Sequence, residues 1–342
     1  MERLRRHPVL TTLIAFAVAA TAVVAIAAAY GFAAFGNAWT HLDFAWLVLA
    51  VVAQLLAIPA YVVSYRTLVS FRGGPELPWP LAIRFVVAGF GPSAVGGGFA
   101  LDKHALHAVG DEDVAVRRVL GLGALEWALL SPAAWLCAVA LLIVGGSPAM
   151  PSLLWPWALL VPAGFAIGLA LAQPRPRRRI EAGGGRIREG LGTALEAVAL
   201  LVPLALGWGR CWRAWFGTAL YWTFDIASFY ACLRFIGLRL GVAEAVLAYA
   251  TGYALTRRSM PLGGAGVTEV LMTFALHWVG VSVPAALAAV VVYRMLNFVL
   301  PAGPALAIRS RVYPLVAAAN DGREPSGRAR RRAAAPLRAF QR

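Results

Sequence analysis

Lysine is almost missing from this chain: of 31 basic residues only Lys103 is not arginine, a coding bias that excludes nothing by itself. Acids number only 16, and charged residues of both signs make up 14% of the 342 positions, against roughly 25% in an ordinary soluble domain. A water-soluble fold is excluded by that shortage. Cysteine is confined to Cys137, Cys211 and Cys232, an odd number without Cys-x-x-Cys or Cys/His spacing, which argues against a disulfide framework and a zinc site. There is no P-loop, no His-Glu-x-x-His and no Gly-x-Gly-Asp, so ATP coupling, zincin chemistry and intramembrane aspartyl chemistry have no motif to stand on. No cofactor or metal is implied.

What is present is apolar length. Hydrophobic residues make up 60% of the chain, gathered in blocks near the ~20 residues that a hydrocarbon core of about 30 Å requires. Clear blocks are Val9–Ala33, Phe44–Ser70, Val119–Val144, Ser152–Ala172, Trp212–Phe235 and Pro284–Ile308; weaker ones are Pro80–Leu101, Leu191–Leu206, Val242–Leu255 and Pro261–Val283. The expected fold is all-α: a polytopic membrane helix bundle of about seven or eight spans with one or two re-entrant hairpins. The first block is longer than the h-region of about 7–15 residues in a signal peptide, so it is expected to stay as an uncleaved span. The domains expected are a membrane domain over 1–310 and an Arg-rich disordered cytoplasmic tail over 311–342, low in apolar content.

The net charge of +15 suggests nucleic acid until its placement is read. Residues 1–8 carry +2, residues 173–192 carry +4 and residues 309–342 carry +7, each beside a span end. Cytoplasmic loops collect basic residues in this way. Nucleic acid is therefore not an expected partner, whereas anionic lipid at the Arg-rich loop and tail is. The charges place the N-terminus, Arg175–Arg188 and the tail in the cytoplasm, with Gly36–Asp43 and Gly145–Pro156 outside, in a cell inner or plasma membrane.

Both flanks of Pro80–Leu101 fall on the cytoplasmic side, and Gly89, Gly91, Pro92, Gly96, Gly97 and Gly98 interrupt it. Such backbone is tolerated at membrane depth only where protein or a water-filled cavity covers it, so a re-entrant hairpin is expected, with a kinked span as the alternative. A second break, PLGGAG at Pro261–Gly266, follows the same plan. Pro92 precedes Asp102, ALHAVG at 105–110 and Pro132; Pro261 precedes Glu269, ALHWVG at 275–280 and Pro301; both proline intervals are 40 residues. This argues for an internal repeat over about 44–144 and 212–308. The tail's charge makes it an inverted one, a plan recurrent in transporters. Leu191–Leu206 either crosses, leaving Pro261–Val283 as a hairpin, or lies on the surface while Pro261–Val283 crosses.

Charges inside apolar blocks are the candidates for function, because a charge at mid-bilayer costs at least about 2.5–3.5 kcal/mol and so pairs or works. The candidates along a head-group path are Arg84, Asp102, Glu126, Asp225, Gly263, Gly264, Gly266, Glu269, Arg294 and Asn297. Glu126 and Arg294 occupy matching places in the two repeats, so either they pair and join the halves or they line a polar path. Glu269 either caps the helix after the PLGGAG turn or handles a cationic group or proton. The three glycines would let backbone approach a phosphate. His107 and His277 read as interior polar groups. Ser93 with His104 or His107 would be the parts of an intramembrane enzyme, but their spacing is not diagnostic.

The stretch from Met260 to Ala307 resembles the C-terminal signature of the flippase-like membrane family typified by the transmembrane region of lysylphosphatidylglycerol synthases. Its marks here are Pro261, Gly263, Gly264, Gly266, Glu269, Gly280, Val281, Tyr293 and Arg294. In the first half, Gly98 with Asp102 fits more loosely, and Glu126 is followed by Trp127 where the family usually has arginine. The resemblance implies translocation of a phospholipid or lipid-linked head group, or a supporting role in it, beside a possible separate lipid-modifying enzyme. The aminoacyl-transferring domain of bifunctional synthases is expected to be absent, and the chain itself is not expected to be an enzyme. The alternatives are an accessory protein of lipid or envelope biosynthesis and, less favoured, an intramembrane enzyme.

Overall fold

The computed structural model describes residues 7–71, 74, 76–90, 98–107, 112–145, 151–181, 185–252 and 260–308, and among these there is no strand. The protein is an all-α polytopic membrane bundle. Its helices are α1 (Pro8–Tyr30), α2 (Phe32–Asn37), α3 (Phe44–Val69), α4 (Trp79–Phe90), α5 (Gly98–His107), α6 (Glu112–Val144), α7 (Pro151–Leu171), α8 (Pro174–Glu181), α9 (Arg186–Leu206), α10 (Trp208–Phe235), α11 (Val242–Gly252), α12 (Val267–Trp278) and α13 (Val283–Arg294). A π turn, Met295–Val299, carries α13 onward, so that Val283–Ile308 runs as one apolar element. Among the described residues five helices are long and apolar enough to cross a membrane: α1, α3, Arg117–Val144 of α6, α7 and Val283–Ile308. The bent pair Gly190–Leu206 and Cys211–Phe235 would make a sixth, and α4 and α11 are shorter apolar helices.

The centre is α3 packed against α10. Along α10 the buried positions Cys211, Ala214, Thr218, Tyr221, Asp225, Ser228 and Cys232 recur at helical spacing. Most are small or polar, which lowers the apolarity of the helix and lets its neighbour come close. The Ser64 and Thr218 hydroxyls lie 2.6 Å apart, and Ser228 donates to the Ala50 carbonyl at 2.9 Å. The backbone N–H of Asp43 donates to the carbonyl of Phe235 at 3.0 Å. These three contacts fall in reverse order along the two chains, so α3 and α10 are antiparallel. Asp43 also caps α3, accepting from the Ala45 N–H.

Gly217 sets the separation. A Cβ there would stand 2.7 Å from the Ala60 carbonyl oxygen and 2.8 Å from the Ser64 nitrogen. Gly217→Ala is therefore expected to wedge the pair apart at a cost of about 1–3 kcal/mol. Gly209→Ala, where a Cβ meets nothing within 4 Å, should stay within about 0.5 kcal/mol of wild type. Thermal unfolding of both variants in detergent checks the contrast; equal midpoints would show that the close approach does not matter.

The order of lengths in residues 44–144 recurs in 208–308: a long helix, two short ones, a long one. The short pairs α4 with α5 and α11 with α12 each pack together. α9 and α10 are not one straight rod: Gly190–Leu206 and Cys211–Phe235 are bent by 112° relative to each other. The glycine-rich tip from Gly91 to Gly97, residues 146–150 of the Gly145–Pro156 link, and the tail from Arg309 lie outside the described residues, and Pro151–Pro156 already belongs to α7.

Candidate functional site

The PLGGAG segment folds as a 3₁₀ turn in which Leu262, Gly263 and Gly264 take φ of 56°, 64° and 72°. Left-handed backbone costs a side-chain-bearing residue about 1–2 kcal/mol, so glycine is the economical choice at 263 and 264, and Leu262 is an outlier held by its surroundings. The turn delivers the chain into α12, whose third residue is Glu269. One carboxylate oxygen of Glu269 accepts from the Gly266 N–H at 2.7 Å, capping the helix. The other accepts from Arg294 Nε at 2.7 Å. Glu269 thus caps the helix, one of the two roles open to it, and holds the guanidinium as well.

Arg294 stands at the end of α13, where the π turn begins. Its Nη1 lies 3.4 Å from Asn297 Oδ1, its Nη2 makes a long 3.5 Å contact to the Gly263 carbonyl, and its guanidinium carbon sits 4.0 Å above the Phe298 ring. The extra residue of a π turn rotates the helix beyond it, and such turns are frequent at functional sites. Side-chain exposure is 6% for Arg294 and 2% for Glu269, so the pair is shielded from solvent. α1 covers it from one side: Phe16 packs edge-to-face on Phe298, and Val18 approaches Gly266.

A second polar centre lies in the middle of α10. Asp225, fully buried, accepts from the hydroxyls of Tyr221 and Tyr249 at 2.6 Å on one oxygen and from Tyr293 at 3.1 Å on the other. Short O–H···O distances of this kind mark charge-assisted bonds to a carboxylate. The Tyr221 ring stacks edge-to-face on Tyr61 at 5.2 Å, and the Tyr61 hydroxyl donates to Glu126 at 2.6 Å. Trp222 donates to the Glu126 carbonyl. Contacts therefore run from Glu126 through Tyr61 and Tyr221 to Asp225 and Tyr293, the residue that precedes Arg294 in the chain.

This corrects the pairing of Glu126 with Arg294. Arg294 is taken by Glu269, which the turn places beside it, and Glu126 is held by Tyr61 on α3. Of the expected residues, Gly263, Gly266, Glu269, Arg294 and Asn297 come together at one turn, with the buried Gly264 in its backbone; Asp225 and Glu126 belong to the second polar centre. Arg84 on α4 and Asp102 on α5 are buried in the other short-helix pair. His277 Nδ1 lies 3.0 Å from the Val281 carbonyl, the place of a satisfied interior group. Ser93 is outside the described residues. Tyr61, Tyr221 and Tyr249 escape a reading of the sequence, because tyrosine in a membrane protein is first taken for an interface residue. Their positions well inside apolar helices are the available signal.

The arrangement pairs a cation and an anion in an enclosed setting, next to backbone that can change conformation about glycines. Opened, it presents a guanidinium that can grip phosphate through paired N–H groups and a carboxylate that can receive an ammonium group. A family model described as the lysylphosphatidylglycerol synthase TM region matches residues 12–305, from the first turns of α1 to the last helical segment. No curated protein matches the chain.

Proposed function

We propose, from the premise that the chain belongs to the lysylphosphatidylglycerol synthase transmembrane-region family, that it carries a phospholipid or lipid-linked head group from one leaflet to the other. The family makes it a multi-pass membrane protein of lipid biosynthesis or modification; translocation is the finer reading. The observation that carries it is the buried Glu269–Arg294 pair set against the broken backbone of Pro261–Gly266. An ion pair kept only for stability is a poor device, since desolvation offsets much of its attraction. Charges of this kind inside a membrane mark substrate and ion pathways.

The antiparallel course of α3 and α10, each leading a long-short-short-long series, supports an inverted repeat with its halves meeting where these two helices pack. In this reading the N-terminus and the Arg-rich segments are cytoplasmic, and α4 with α5 and α11 with α12 are the re-entrant pairs. A head group bearing both phosphate and ammonium would compete for both members of the ion pair at once. Covalent modification of the lipid is left to a separate enzyme.

Purified protein in liposomes, loaded with head-group-labelled phosphatidylglycerol or its aminoacylated derivative and quenched from outside, tests this. Leaflet exchange should exceed that of protein-free vesicles, with the aminoacylated lipid faster and chemically unchanged. Chemical conversion of the lipid without exchange would point to an enzyme, and neither activity to an accessory role.

A further inference from the structure

An open groove of about 300 Å³ lies between α6, α7 and α9, apart from the Glu269–Arg294 pair. Gly164 and Gly168 of α7 and Ala124 and Ala128 of α6 keep it open, while Trp127 and Phe165 line it. Gly164 faces open space, since a Cβ there meets nothing within 4 Å.

One end of the groove is basic, and three helices agree on which. Gly168 lies three residues before the end of α7, after which α8 carries Arg175, Arg177, Arg178 and Arg179 within eight residues. Ala124 lies seven residues beyond Arg117, and Val198, another lining residue, lies two beyond Glu196. Arg117 and Glu196 form an ion pair of 3.3 Å across that end.

We infer that the groove seats one acyl chain of an anionic phospholipid, with the phosphate held at the arginines of α8. An apolar channel lined by small residues alone would also suit a helix of another copy. The cluster of cations at its end complements a lipid phosphate and has no counterpart in an apolar helix. Each exposed arginine near a membrane surface contributes to such attraction. The seat is separate from the Glu269–Arg294 site, so loss of one leaves the other testable.

The test uses the full-length protein in nanodiscs containing phosphatidylglycerol with a photoactivatable group on one acyl chain, and the same probe as phosphatidylcholine for comparison. Label from phosphatidylglycerol should concentrate on the groove peptides of α6 and α7. Gly164→Phe should reduce it there to the level found on lipid-facing α1 while leaving label elsewhere unchanged. The double variant Arg178→Gln/Arg179→Gln should cut the preference for phosphatidylglycerol roughly ten-fold or more, as two surface cations are removed. Label spread evenly over all lipid-facing helices, or a preference that survives the double variant, would overturn the seat. So would an absence of groove label together with a cross-link between two copies through α7, since a second chain would then fill the groove.

Discussion

Arg294→Ala is expected to lower stability by about 3–5 kcal/mol, because it strands the Glu269 carboxylate in a site where its side chain is only 2% exposed. Poor recovery in detergent and a fall in the thermal midpoint are the readouts. Glu269→Gln should cost less. A glutamine oxygen can still accept from the Gly266 N–H, and the guanidinium retains Asn297, the Gly263 carbonyl and the Phe298 face. Exchange of the two charges between 269 and 294 should restore only part of the loss, since an arginine in the first turn of α12 opposes the helix dipole by about 0.3–1 kcal/mol. Exchange between 126 and 294 should restore nothing, because Glu126 is bonded to Tyr61. A full rescue by the 126/294 exchange would contradict the geometry.

Asp225→Leu should be of similar severity. Tyr221, Tyr249 and Tyr293 lose one shared acceptor, and each buried donor deprived of its partner costs about 1–3 kcal/mol. The single changes Tyr221→Phe and Tyr249→Phe should cost more than Tyr293→Phe, because their bonds are 2.6 Å against 3.1 Å. The three should not sum to the aspartate's effect, since they share one carboxylate. Unfolding midpoints of the four variants check the order. An Asp225→Leu protein as stable as wild type would show that the tyrosine cluster is not holding α10 to α11 and α13.

Apolar length locates the helices well where charge and hydrophobicity change together. The block Val9–Ala33 corresponds to the helix Pro8–Tyr30, and Phe44–Ser70 to Phe44–Val69. It marks the apolar segments Arg117–Val144 and Gly190–Leu206 closely and does not report the charged first turns, from Glu112 in α6 and Arg186 in α9. A helix does not stop at the membrane surface; only its apolar signal does. The residues of the second-half turn are legible, since glycines, a capping acid and a buried arginine each have a local physical meaning.

Their pairing is not. Repeat symmetry matches Arg294 with Glu126, but contact depends on where a turn of unusual backbone delivers the chain. The left-handed conformation of Leu262 cannot be read from a leucine. The tyrosine cradle of Asp225 is hidden for another reason. It is assembled from α10, α11 and α13, and its donors lie 4, 24 and 68 residues from the acceptor.

If the ion pair at the broken turn works on the substrate rather than bracing the fold, its two members can be removed together without unfolding the protein. Glu269→Gln with Arg294→Met takes away the pair without leaving a buried charge alone, a change that is often neutral for stability. Leaflet exchange of aminoacylated phosphatidylglycerol by this double variant, measured in liposomes at a temperature where it and the wild type are equally folded, is the direct measurement. The expected result is a folded protein whose exchange has fallen to that of empty vesicles; a folded double variant that exchanges lipid at the wild-type rate would contradict a role for the pair in translocation.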